Sequence, residues 1–413
     1  MRILSGPAAS AAVKRLSARG SQLKHLEPYV GRIVREVQQN GDRALRRYAQ
    51  KWDGLGAKQP LRADETEMAR ALDTMTQPVR ASLQQAAENI RRFCEWQKLS
   101  SWMRMKDGIS LGQAIRPIES VGCYVPGGRY PLVSTLLMTV IPAQVAGVTN
   151  IRAVSPRPSP EVLAAAAMLG VREFYRVGGP HAIAALAYGT KTIGRVDKIV
   201  GPGNAYVTAA KKLVAFDCAI DFLAGPTEAV VLCETGNAAF IAADLLAQAE
   251  HAPDACSVLI STSRQLANSV AKNLERMTAE NPIGKQSLRR HGAILLAASR
   301  TEAREWANQI APEHITVEED DLPFLYNAGS IFVGDYSAQA AGDYASGPNH
   351  VLPTGGQARF RGGLSVIDFV KVITVQKLSK NGLKKIANTI ECLAQAEGLA
   401  AHAESVRVRC GHA

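Results

Sequence analysis

From residue 116 onward the chain alternates short apolar runs with longer stretches of helical spacing. Runs of strand length lie at 119–125, 150–154, 173–177 and 198–200, and helical patterns lie at 132–147, 160–169, 181–189 and 204–215. A second series has runs at 228–232, 257–261, 293–296, 315–317 and 330–333, separated by helical patterns at 237–250, 264–278 and 301–310. Two such βα series predict an α/β protein built from two Rossmann-like, parallel, doubly wound units. Ligands of such sheets bind beyond the carboxyl ends of the strands. The Gly-rich segments YVPGG (124–128), VGGPH (177–181) and VGPGN (200–204) fall there.

Outside the two series the pattern is helical. Residues 9–105 are poor in glycine and interrupted by a turn at Trp52-Asp53-Gly54, and the chain turns helical again from Leu364. The expected organisation is a mainly helical N-terminal region, 1–115, packing on the second α/β unit. A first α/β unit spans 116–227, a second 228–362, and a helical tail 363–413. That tail holds little sheet and cannot form much of a core alone, so it must pack on something else, such as a neighbouring subunit. The longest apolar stretch, Pro131 to Val148, contains Ser134, Thr135, Thr139, Pro142 and Gln144, which predicts a buried helix rather than a membrane span.

The 413 residues carry 48 Lys and Arg against 37 Asp and Glu, a net charge of +11. Residues 1–120 hold 21 basic and 12 acidic side chains, so most of the excess lies there. These cations are mixed with acids on helical patterns and no aromatic stacking set accompanies them. They read as a solvated basic face, with neither nucleic acid nor membrane as partner. The first 24 residues contain five basic residues and no acid, faintly like a transit peptide, but they read as an arm of the folded protein. Seven scattered cysteines without a C-x-x-C pair exclude a disulfide framework and a Cys-ligated zinc, and point to a reducing cytoplasm.

The candidate chemistry begins at DLLAQAEHAPD (244–254), where Gln248 and His251 stand three apart on a helical pattern and share a face. Read alone, an amide oxygen and an imidazole nitrogen there are either a satisfied polar pair or half of a metal site. Glu313-His314, Asp343, and Glu397 with His402 are the constellations available to complete it. Mixed N/O ligation without thiolate suits zinc, manganese or cobalt better than calcium. Glu313-His314 directly precedes a predicted strand, where both side chains can reach one site, and the ordinary histidine pKa suits a general base. Cys123 beside Tyr124 has no basic partner nearby and reads as a structural thiol rather than a nucleophile. No G-x-G-x-x-G follows a strand. GPGNAYVT is either a helix N-terminus facing a pyrophosphate or a tight turn that needs glycine.

YVPGG (124–128), YRVGG (175–179), IAALAYGT (183–190), DKIVGPGNAYVT (197–208), AGPTE (224–228), QAEH (248–251), PEH (312–314), GDYASGPNHVLPT (342–354) and GLSVIDF (363–369) occur in this order. In these stretches, and over about residues 25–405, the chain resembles the histidinol dehydrogenase family of histidine biosynthesis. The resemblance implies an NAD-dependent, metal-dependent oxidation of L-histidinol through L-histidinal to L-histidine. NAD is expected at Tyr124, His181 and Asn204, with His181 standing where the family usually has Gln. One zinc per subunit is expected on Gln248, His251, Asp343 and His402, with manganese or cobalt as alternatives, and the substrate amine and imidazole completing six-coordination. His314 would be the general base, and Glu313 would activate the water that adds to the aldehyde. Thr227 (commonly Ser in the family), His350 and Glu397 would grip the substrate together with the metal ligands and His314. The tail would cross to the partner of an intertwined homodimer and complete its site. The alternative within the same scaffold is a dehydrogenase of another metal-chelating alcohol, such as a sulfonated diol.

Overall fold

The computed structural model describes residues 1–19, 23–127 and 131–411, so Gly128 of YVPGG lies outside the described residues. Both expected sheets are present. The first has the spatial order Glu173–Tyr175, Asn150–Val154, Ser120–Tyr124, Lys198–Val200, Ala219–Ile220, all parallel. In chain order this is 3-2-1-4-5, a doubly wound sheet whose direction of winding reverses between Ser120–Tyr124 and Lys198–Val200. The second has the order Arg2–Ser5, Ala293–Leu296, Cys256–Ser261, Glu228–Leu232, His314–Val317, Ser330–Val333, again parallel throughout. Without its first strand it repeats the 3-2-1-4-5 order. Strands such as Glu228–Leu232 and Cys256–Ser261 are buried along their whole length, which is why their centres, Ala229–Leu232 and Val258–Ile260, read as continuous apolar runs rather than alternating ones.

The crossover helices follow the same logic. Val133–Ala146 is buried on nearly every side, from Thr135 to Ala143, and stops where Gly147 takes a left-handed conformation at φ 92°. No helix among the described residues is long and apolar enough to cross a membrane.

The N-terminal region divides between the two units instead of packing on the second. Arg2–Ser5 and the helix Gly6–Ser17 join the second unit, the strand beside Ala293–Leu296 and the helix against Arg300–Ile310. The helix Glu27–Trp52 lies on Gly179–Tyr188 and Ala205–Val214. Glu65–Thr74 lies on Pro160–Met168, and Gln77–Trp96 on Val133–Ala146. The cause is in the apolar faces: Val30, Val34, Val37, Leu45 and Ala49 share a core with Ile183, Leu186 and Val207 of the first unit.

The tail also departs from expectation. Val370–Leu378 (VKVITVQKL) is a nine-residue strand, and its β-branched residues suit an extended pleat. It pairs antiparallel along its whole length with Ile109–Pro117, which turns back on Trp102–Lys106 through Asp107-Gly108, both at positive φ. The helices Lys380–Ala396 and Ala400–Cys410 follow, with a small shared core of Ala387, Val406 and Cys410.

Candidate active site

A cavity of about 510 Å³ opens between the units. One wall is the carboxyl edge of the first sheet at its switch point, with Pro126, Pro202, Gly203 and Asn204. The other is the amino edge of the second sheet, where Thr227 immediately precedes Glu228–Leu232 and Glu313 immediately precedes His314–Val317. The carboxyl-end rule therefore holds for the first unit only. Gln248, His251, Asp343 and His350 complete the polar lining.

The second sheet delivers its residues through short-range structure. The helix Arg300–Ile310 ends with Ala311 left-handed at φ 50°, an uncommon conformation for a residue with a Cβ, and Pro312-Glu313-His314 follows directly. Glu313 and His314 are both buried. Gln248 sits in the last turn of Ala238–Ala249, whereas His251 lies just past that helix's end, its N–H donating to the Gln248 carbonyl at 3.4 Å. The shared helical face expected for the pair is thus a turn leaving a helix, and both side chains still reach the cavity. Asp343 is on the short helix Gln339–Tyr344.

A string of hydrogen bonds fixes atom identities. Thr227 Oγ1 donates its single proton to Glu313 Oε2 at 2.6 Å, and the Glu228 N–H donates to the same oxygen at 2.9 Å. Thr227 must then accept from Gln248, whose Nε2 is its other neighbour. This assigns the Gln248 amide: nitrogen toward Thr227, oxygen left for the cavity. His350 Nδ1 lies 2.8 Å from the Asp343 carbonyl, which can only accept, so Nδ1 carries the proton. Burial lowers the pKa of His350, and the neutral ring presents Nε2 as an acceptor, 3.5 Å from Thr135 Oγ1.

His314 is bracketed by carboxylates, Nδ1 at 3.7 Å from Glu313 and Nε2 at 3.6 Å from Asp343, both longer than hydrogen bonds. Burial works to lower its pKa, but the Glu313 and Asp343 charges outweigh burial and raise it. Burial pushes Glu313 up to about 7 against the influence of His314 and the Thr227 hydroxyl. Burial also opposes ionisation of Asp343, yet His314, His350 and His251 hold it below the ordinary carboxylate range. Three imidazoles thus lie within electrostatic reach of one carboxylate.

Among the described residues no three His, Cys, Asp or Glu side chains stand close enough to hold an ion. Gln248, His251 and Asp343 line the same cavity, and an amide oxygen, an imidazole and a carboxylate are donor types that suit a divalent cation. Glu397 and His402 belong to the tail, and among the described residues none of 363–411 lines this chain's cavity. On the cofactor side, only Asn204 of the three expected residues lines it. The Tyr124 hydroxyl accepts the Gly179 N–H at 3.1 Å, and His181 is buried with Nε2 2.7 Å from Asp53 and its ring beside Tyr48 and Trp52. Cys123 is fully buried, and burial pushes its thiol up to about 12, away from the thiolate a nucleophile needs.

Some neighbours of the site were not evident from sequence. Glu228 is buried, its carboxylate 3.4 Å from Arg19 and accepting the Gly355 N–H while its own N–H donates to Glu313, and only its place beside Thr227 in AGPTE hinted at this. Thr135 and Leu132, at the start of an apolar helix, gave no signal at all.

Fold and cavity together define a two-unit α/β protein with a cavity of small-molecule size, lined by titratable side chains, between its doubly wound units. Comparison with known proteins narrows this further. The family model described as histidinol dehydrogenase matches residues 16–410. The histidinol dehydrogenase of Methanothermobacter thermautotrophicus is 47% identical over 396 residues, 92% of each chain, and that of Aquifex aeolicus is 45% identical over 95% of each. The crystal structure of histidinol dehydrogenase from Elizabethkingia anophelis superposes with a TM-score of 0.93 at 36% identity, covering 99% of this chain and 98% of that one. The chain belongs to the histidinol dehydrogenase family and is an oxidoreductase.

Proposed function

We propose that the chain oxidises L-histidinol through L-histidinal to L-histidine at a divalent metal site, reducing two NAD and adding one water. The string Gln248–Thr227–Glu313 beside His314 and Asp343 in one cavity carries this reading. Oxidising the alcohol requires a base for the hydroxyl proton as hydride leaves, and His314 is assigned that role. Oxidising the aldehyde requires water to add first, because hydride must leave a tetrahedral carbon. Glu313, with a proton affinity near neutrality, is assigned to take the proton from that water.

NAD would accept the hydride in each half-reaction. Asn204 is assigned its direct contact, while Tyr124 and His181, engaged inside the protein, would shape the turns that receive it. A zinc ion, with manganese or cobalt as alternatives, would hold and orient the substrate amine and imidazole. Gln248 Oε1, His251 and Asp343 would bind it, and His350 Nε2 would accept an N–H of the substrate.

The fourth ligand, His402, and the substrate grip of Glu397 are assigned to the tail of a second copy in a homodimer. The sheet Val370–Leu378, Ile109–Pro117, Trp102–Lys106 supports this: Trp102, Met103, Met105, Leu111, Val372 and Ile373 are all exposed on it. Apolar faces of that extent mark an interface. A cytoplasmic location accords with seven free cysteines.

The test is the purified protein with zinc, NAD and L-histidinol. Two NADH per histidine formed, and silence after chelation, are expected. One NADH with histidinal accumulating would overturn the four-electron reaction, and no NADH at all would overturn the substrate.

A further inference from the structure

Away from the groups assigned to catalysis, Lys211 and Asp221 form a buried ion pair behind the cofactor-side wall. Lys211, on the helix Ala205–Val214, is 2% exposed, and the Asp221 side chain has no exposure at all. Lys211 Nζ donates to Asp221 Oδ1 and, at 3.0 Å, to the carbonyl of Gly201. Asp221 Oδ2 accepts the Gly201 N–H at 2.7 Å, and Oδ1 accepts the Phe222 N–H at 2.6 Å. Both backbone polar groups of Gly201 therefore end in one ion pair. Desolvating two charges offsets most of their attraction, so such a pair is a weak source of stability and its value lies in geometry.

Gly201 is a place where geometry is demanding. Its φ is 113°, and a Cβ there would stand 2.1 Å from the Tyr124 carbonyl oxygen, so the turn passes in contact with the Tyr124 backbone. The next three residues, Pro202, Gly203 and Asn204, line the cavity. Asn204 caps the following helix, its Oδ1 accepting from the Tyr206 and Val207 N–H groups at 3.1 Å each. The second anchor point is the Ala224–Thr227 wall: Phe222 is held by the same aspartate, and Thr208, one turn from Lys211, donates to the Ala224 carbonyl at 2.9 Å.

We propose that Lys211 and Asp221 are positioning residues for the cofactor side of the active site. By gripping both ends of Gly201 they set the turn that presents Asn204 and fix its register against the Tyr124 backbone. A dinucleotide then meets a preformed wall rather than one it must order on binding. This rests on the assignment of NAD to Asn204 made above.

The variant to make is the double replacement Lys211→Met with Asp221→Asn. Methionine keeps the volume of the stem, asparagine keeps an acceptor for the Gly201 N–H, and neither charge is stranded. The folded variant is expected to retain zinc and to show a KM for NAD raised about ten-fold, with kcat and the KM for L-histidinol within about two-fold. A folded variant with an unchanged KM for NAD overturns the proposal, as does one in which all three parameters worsen together.

Amide hydrogen exchange on the unmodified protein tests the grip without any variant. Gly201 lies beyond the last strand residue, Val200, yet its N–H should exchange as slowly as that of Ile199. Gly203, whose N–H has no acceptor among the described residues, should exchange fast. Equal, fast exchange at both glycines also overturns the proposal. If the unmodified enzyme makes no NADH from L-histidinol, the NAD assignment fails, and the exchange measurement still decides whether the clamp exists.

Discussion

At Thr227 a single hydroxyl proton decides which end of a neighbouring amide meets the cavity. Because that proton goes to Glu313, the Gln248 oxygen is the atom left for a cation. Thr227→Val keeps the shape and removes the hydroxyl. It should weaken zinc binding by about 10–100-fold, the range for loss of a ligand's outer partner, while Thr227→Ser retains it. Competition against a chromophoric chelator measures this, and equal affinity in the valine variant would refute the orientation argument. At His314, replacement by alanine should lower turnover by about 10²–10⁴-fold with zinc content unchanged. Metal loss would instead mark the residue as a ligand. Glu313→Gln should leave the first NADH and suppress the second, read as histidinal trapped by a carbonyl reagent. The residue types at these positions were legible in the sequence because QAEH, PEH and GDYASGPNH carry unusual chemistry in short space. What the sequence could not reveal is the partner of each atom: that His181 is held by Asp53, 128 positions away, or that the Glu228 N–H donates to the Glu313 carboxylate.

The helix Ala238–Ala249 illustrates what can and cannot be inferred at the scale of an element. Its apolar repeat made it visible, as did those of the other crossover helices, and most strand positions in both sheets were legible because fully buried parallel strands are continuous apolar runs. Arg2–Ser5 was hidden because an edge strand of four residues has little pattern to offer, and Val370–Leu378 because its neighbours are helical and its faces are largely exposed. The same helix carries a titratable group with a stated pH consequence. Asp244, partly buried one turn before Gln248, is pushed up to about 6 by burial, against a backbone hydrogen bond at Gln339. A carboxyl whose folded pKa lies above its unfolded value holds its proton longer in the folded chain. Between about pH 4 and 6 stability therefore falls as pH rises, and the penalty is constant above. Asp244→Asn should stabilise the protein at pH 8 by about 1 kcal/mol, less than the full linkage because water still reaches the side chain, and leave it unchanged at pH 4. Urea midpoints at the two pH values decide it, and equal gains at both would remove burial of the charge as the cause.

At the scale of the whole molecule, the proposed metal ligands Gln248, His251 and Asp343 line a cavity that the described residues of the tail do not line. The tail forms an antiparallel sheet with residues 102–117, so it is anchored to its own chain through nine register pairs, and its helices hang beyond that sheet on a small core. A segment so built, with apolar residues exposed on strands and helices alike, has the character of an interface, and the proposed two-fold arrangement would cover both copies at once. If each cavity takes His251 from one chain and His402 from the partner, two dead variants should rescue each other. His251→Ala and His402→Ala homodimers each lack a ligand in both sites. A mixed dimer has one site missing both ligands and one site complete. Unfolding and refolding an equal mixture yields half mixed dimers, so activity should return to about a quarter of the unmodified level. Had both histidines served the same chain's cavity, every site in the mixed dimer would lack one of them and the mixture would stay silent. Rescue therefore depends on the crossing itself and not merely on dimer formation, which a sizing column alone would report.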